Sequence, residues 1–106
     1  MLSGPPEAVR ECIIRNQTVS SFLVDCIPGY DGGLEQAFHL IVNDVVGKKL
    51  LSNVTQREKP SFFVNGLLAG SSFQINIYSS NAKGNSKSVL LTGTTLPLSS
   101  SSAFGK

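Results

Sequence analysis

SFQINIYSS, residues 72–80, sets an apolar side chain at every second position: Phe73, Ile75 and Ile77. A period of two is the signature of a half-buried strand, because successive side chains of an extended chain point to opposite faces. QAFHLIVN, residues 36–43, repeats the pattern with Phe38, Leu40 and Val42. Two such strands carrying six inward side chains predict a core between sheets packed about 10 Å apart.

Working outward, five further short apolar runs are each followed by turn residues. The seven runs cover about Val9–Arg15, Val19–Ile27, Gln36–Asn43, Lys48–Asn53, Ser61–Asn65, Ser72–Ser80 and Ser86–Thr94. Short strands at this spacing predict an all-β sandwich. Phe22, Val24 and Cys26 extend the core from the second run, and Phe63 from the fifth, or Phe62 if the register differs by one. The connections have turn chemistry. Pro28-Gly-Tyr-Asp-Gly-Gly33 supplies a fixed φ and glycines tolerant of positive φ; Asn81-Ala-Lys-Gly-Asn85 and Asn43-Asp44 with Gly47 do the same elsewhere.

Length and composition bound the rest. At 106 residues two independent cores would each be too small to be stable, so one domain is expected. Gly4, Pro5 and Pro6 make residues 1–6 read as a linker or the start of an excised piece. Residues 7–95 read as the domain, with order beginning near Glu7, and residues 96–106 as a Ser-rich flexible tail. Hydrophobic residues make up 41% and charged residues 15%, a balance that predicts a folded chain. The net charge of +2 comes without a block of one sign, which gives nucleic acid no footprint. No apolar run approaches the ~20 residues of a membrane span, so any membrane attachment is expected to come through a parent protein.

The order of the motifs resembles the fibronectin type III family over roughly residues 5–95. The proline pair Pro5-Pro6 opens the region, PGYDGGL (28–34) follows the second run, and Val64-Asn-Gly-Leu67 precedes Gly70 and Phe73. Asn81-Ala-Lys-Gly-Asn-Ser86 closes the sixth run. The last two segments are similar to the family's gLxPgxxY and NxxGxS signatures. The resemblance implies a seven-stranded Greek-key β-sandwich of the immunoglobulin-like architecture. Two positions depart from it. Cys26 stands where the family has a Trp, and Phe73 stands where it has a corner Tyr, which removes the hydroxyl that bonds back to the backbone. With Cys12 in the first strand and a sequon after it, the pattern resembles the membrane-proximal domains of immunoglobulin-superfamily receptors of the nephrin and Sidestep type. That likeness implies an extracellular module of a plasma-membrane receptor for cell adhesion or axon guidance.

Candidate sites follow from chemistry. Asn16-Gln-Thr18 and Asn53-Val-Thr55 match the N-glycosylation acceptor pattern. A hairpin centred near Val19 places Cys12 opposite Cys26, within reach of a disulfide; free thiols are the alternative. Two Cys and the sole histidine, His39, do not fill a metal site, and no cofactor is expected. No nucleophile motif such as G-x-S-x-G and no phosphate-cradling loop occurs, so no enzyme activity is expected. Lys48, Lys49, Arg57 and Lys59 flank the fourth run, where cations guard a sheet edge; a weak site for acidic polysaccharide is the sharper reading. His39, Ile41, Gln74, Asn76 and Tyr78 face away from the core, with His39 in solvent and Ile41 and Tyr78 exposed, and form a candidate face for a protein partner.

The expected function is a non-catalytic spacer or adhesion module, monomeric in isolation. The alternatives are direct protein binding through the third and sixth strands, or an intracellular cytoskeletal fibronectin domain.

Overall fold

A computed structural model describes residues 3–45 and 49–98. The fourth run's Lys48, Gly47 of the third turn, and residues 99–106 of the expected tail lie outside the described residues. The chain forms eight strands: β1 (Arg10–Arg15), β2 (Phe22–Ile27), β3 (Ala37–Asp44), β4 (Leu50–Gln56), β5 (Ser61–Val64), β6 (Ser72–Asn81), β7 (Gly84–Asn85) and β8 (Val89–Thr94). One antiparallel sheet has the order β1-β2-β5. The other runs β4-β3-β6-β7, with β8 also paired to β6. The chain changes sheet between β2 and β3, between β4 and β5, and between β5 and β6, so the two sheets close as a sandwich.

The alternation of β3 and β6 places Phe38, Leu40, Val42, Phe73, Ile75 and Ile77 in the core as expected, joined by Phe22, Val24, Phe62, Val64, Val9 and Leu67. Phe22 of one sheet meets Phe73 of the other, ring centroids 6.2 Å apart. Gly93 opposes Phe73. A Cβ there would come within 2.8 Å of Ile75 Cδ1 and 3.6 Å of the Phe22 ring, so the absent side chain makes room for the inter-sheet contact.

Five expectations change. Phe62, not Phe63, is the core residue of β5: Phe62 is 0% exposed and Phe63 59%. The register with β2 pairs Val24 with Phe62 and Leu23 with Phe63, and Val24 faces inward. The second strand begins at Phe22 and not at Val19, because Thr18 to Ser21 form a turn. There the Thr18 N–H donates to the Ser21 carbonyl at 2.9 Å, and the Ser20 N–H donates to Thr18 Oγ1 at 3.1 Å. The fourth strand runs on to Gln56, since Thr55 and Gln56 pair with His39 and Phe38. An edge strand of polar residues carries no apolar alternation to reveal it.

β7 lies in the expected Asn81–Asn85 turn, ahead of the seventh run, where it pairs with the end of β6 and is separated by a break from β8, which makes eight strands where seven were expected. At the break the Ser79 N–H donates to the Ser86 hydroxyl at 2.8 Å, and that hydroxyl donates to the Lys87 carbonyl at 2.8 Å. A side chain replaces the ladder there. Hydrogen-bonded structure also begins before Glu7. The Gly4 N–H donates to the Gly32 carbonyl at 3.0 Å and the Glu7 N–H to that of Tyr30 at 2.8 Å. Gly32 has φ +75°, and a Cβ on it would collide with the Gly4 carbonyl, so this close approach requires glycine.

The corner before β6 is hydrogen-bonded without a tyrosine. Buried Thr95, just past β8, donates its hydroxyl to the Leu68 carbonyl at 2.6 Å and accepts from the Ser71 N–H at 3.2 Å. The Thr95 N–H donates in turn to the Ser71 carbonyl at 3.1 Å. These bonds occupy backbone groups that neither sheet's ladder reaches.

Candidate functional site

Cys12 and Cys26 are joined by a disulfide across β1 and β2, with Cα atoms 4.0 Å apart. The two strands pair about a centre near Val19, with a register shift between Arg10 and Ile13. Glu11 takes up the irregularity with φ 51°, as the extra residue of a bulge does. Among the described residues no group of three His, Cys, Asp or Glu side chains could hold a metal ion.

The five residues expected on the outward face of β3 and β6 lie together. The register pairs His39 with Tyr78, Ile41 with Asn76 and Asn43 with Gln74. Gln74 is exposed, but Ile41 and Tyr78 are half-buried and not exposed as expected. His39 is not simply in solvent either. Its ring stacks on that of Tyr78, centroids 4.7 Å apart and planes 21° from parallel. Nδ1 lies 3.1 Å from the Thr55 hydroxyl and Nε2 2.7 Å from the Ser80 hydroxyl. Burial, together with the positive charge of Arg57, lowers its pKa from 6.5, because both disfavour the imidazolium.

The face extends over more strands than the sequence indicated. On one side, β4 brings Thr55 opposite His39 and Asn53 opposite Ile41. On the other, β8 brings Leu90 opposite Asn76 and Thr92 opposite Gln74. Thus Asn53, Ile41, Asn76 and Leu90 form one row across four strands. No member of that row carries a charge, nor do His39, Thr55, Gln74, Tyr78 or Thr92 with His39 neutral. The alternate positions of the seventh run were the available signal for Leu90, but Thr55 lies beyond the fourth run, and the register across strands was needed to join both to the face. Asn53 thus sets its sequon on this face, and the sequon of Asn16 lies elsewhere. Asn16 follows β1 in an exposed bend at φ 54°, a conformation asparagine adopts readily.

The cations do not gather on this face. β4 is an edge of the larger sheet, and Lys49, Arg57 and Lys59 are exposed beside it. On the opposite sheet, Arg15 pairs with Asp25 at 2.6 Å, and the Ser61 hydroxyl donates to Asp25 at 2.6 Å.

The loops at one end of the sandwich are tied to the N-terminal segment by Asn81. Its amide nitrogen donates to the carbonyls of Gly4 and Asp31, each at 2.8 Å, and its oxygen accepts from the Lys83 N–H at 2.8 Å. At the other end, the Leu96 N–H donates to the Thr18 carbonyl at 2.9 Å and the Gly70 N–H to that of Leu96 at 2.9 Å. Residues 4 and 96 therefore lie at opposite ends of the sandwich.

No protein-family model matches the chain, and no curated protein matches it. Solved structures do resemble it. Domains d3–d4 of the rat CD45 extracellular region superpose with a TM-score of 0.78 at 20% identity, over 88% of this chain and 51% of that one. The twitchin kinase region of C. elegans gives 0.74 at 24% identity, over 87% of this chain and 17% of that one. A fibronectin type III domain of the human KIAA0970 protein gives 0.69 at 10% identity, covering 86% of this chain and 74% of that domain. The chain spans about half the CD45 fragment and a smaller part of the twitchin one. The fold is therefore that of a fibronectin type III domain.

Proposed function

We propose that this chain is a non-catalytic extracellular module of a cell-surface receptor, a rigid spacer that holds neighbouring recognition domains apart. The observation that carries the reading is the Cys12–Cys26 disulfide, because such bonds persist in oxidising compartments. The sequons at Asn16 and Asn53 agree with secretion, and glycans on both belong to this reading. Residues 4 and 96 at opposite ends of the sandwich suit a spacer, since the chain can continue from each towards a neighbouring domain. The module is read as residues 7–95, onto whose ends Gly4 and Leu96 are also hydrogen-bonded. The resemblance of the Cys12, sequon and Cys26 pattern to nephrin and Sidestep-type receptors extends the proposal to a role in adhesion or axon guidance.

The test is the intact mass of protein secreted from a eukaryotic cell, with and without reduction and enzymatic deglycosylation. An oxidised cysteine pair with glycan on Asn16 or Asn53 is the expected result. Free thiols without glycan would overturn the reading in favour of an intracellular fibronectin domain, a choice that likeness to both CD45 and twitchin leaves to experiment.

A second reading is favoured by the cross-strand row of Ile41, Asn76 and the exposed Leu90. Here the His39, Ile41, Gln74, Asn76 and Tyr78 face binds a protein partner directly, and Tyr78→Ala in the full ectodomain would abolish binding.

A further inference from the structure

We infer that the face formed by β4, β3, β6 and β8 is the seat of the glycan on Asn53, whose first two sugars lie across Ile41, Asn76 and Leu90. The inference rests on the extracellular reading above and goes further, since it assigns the face an occupant. Four observations converge. Asn53 is exposed and projects from the same face as Ile41, its direct cross-strand neighbour, so a sugar on its amide starts beside that side chain. The row continues through Asn76 to Leu90. Three gaps of about 4.8 Å between strands make it roughly 14 Å long, a span suited to the paired N-acetylglucosamine rings at the root of an N-linked glycan.

The chemistry of the row alternates to match. Ile41 and the 61%-exposed Leu90 offer apolar surface to the C–H faces of the rings, and Asn76 with Gln74 beside it offers amides to their hydroxyl and acetamido groups. Neither amide makes a hydrogen bond with another described residue. Finally, Asn53, Ile41, Asn76 and Leu90 carry no charge, and Arg57 bears on the face at its His39 end. A neutral, hydroxyl-rich ligand meets no desolvated charge there, whereas a charged partner finds no complement. A glycan so seated covers Ile41 and Asn76 at the centre of the second reading's face and leaves them closed to a protein.

The test uses Asn16→Gln protein secreted from eukaryotic cells, with 13C-labelled glycan on Asn53 alone. Nuclear Overhauser contacts from the first two sugars to the methyl groups of Ile41 and Leu90 are expected, with those methyl resonances shifting when the glycan is removed enzymatically. An occupied Asn53 whose sugars make no such contacts overturns the inference and leaves the extracellular reading intact. So does an empty Asn53 in wild-type protein that has an oxidised cysteine pair and glycan on Asn16. Free thiols with no glycan on either asparagine defeat both at once.

Discussion

The Thr95 hydroxyl donates to the Leu68 carbonyl at 2.6 Å, a bond between residues at the ends of different connections that closes the corner where β5 passes to β6. The same oxygen accepts from the Ser71 N–H, and Thr95 is 4% exposed. Replacing the hydroxyl with a methyl group in Thr95→Val keeps the volume and strands a buried carbonyl and amide. Such losses cost about 2 kcal/mol, which in a domain this size lowers the melting temperature by roughly 10 °C. Calorimetry of the two proteins checks it; equal melting temperatures would show that the corner holds without the threonine.

The Cys12–Cys26 bridge closes a loop with a sequence separation of 14. Constraining the unfolded chain to this extent stabilises by about 3 kcal/mol in the chain-entropy account. Urea unfolding with and without reductant should therefore show a lower midpoint for the reduced protein. Coincident curves would mean that the hairpin is held by β-pairing alone.

How far the sequence revealed all this depended on whether a residue's role is local. The inward sets of β3 and β6 were legible because both strands alternate over eight or more residues and each is fixed by its own pattern. Phe62 and Phe63 were not separable, since β5 has four residues and either aromatic fits the inward position until β2 sets the register. Thr95 falls just past the seventh run, and its partners lie 24 and 27 positions away. His39 was readable as outward, but its contacts come from two other strands, Thr55 on β4 and Tyr78 and Ser80 on β6. The disulfide was legible as a possibility because hairpin geometry relates its cysteines through one turn.

The two adjacent phenylalanines of β5 should respond very differently to truncation. Phe62→Ala empties a fully buried site and should cost about 4 kcal/mol, whereas Phe63→Ala alters a mostly exposed ring and should stay within about 0.5 kcal/mol. Urea midpoints of the two variants decide. A larger loss for Phe63 would place β5 one residue out of register.

Asn81 fastens the N-terminal segment to two loops. Asn81→Ala removes three hydrogen bonds at once, in a half-buried position. A loss of about 2 kcal/mol follows if water replaces only some of them. The sharper readout is local: amide exchange at Gly4 and Glu7 should accelerate at least tenfold while the β3 and β6 amides stay protected. Unchanged exchange at Gly4 and Glu7 would show that their backbone bonds to Gly32 and Tyr30 suffice.

His39 gives the domain a pH dependence of definite sign. Its pKa in the folded protein lies below 6.5, through burial first and Arg57 second. Between that depressed value and 6.5 the unfolded chain therefore binds more protons than the folded one. By linkage, stability rises with pH across this window: the contribution is complete above 6.5 and is lost as pH falls through 6.5 towards the folded pKa. It is the only histidine in the chain, so comparison with His39→Gln isolates it from the carboxylates and the chain terminus. The wild-type urea midpoint should fall from pH 7.5 to pH 5.5 by more than that of His39→Gln, and the size of the difference reports how far the Tyr78-stacked ring resists protonation. Parallel profiles for the two proteins would mean that the ring titrates as freely in the fold as in the unfolded chain, and that its contacts with Thr55 and Ser80 accommodate the charged form equally well.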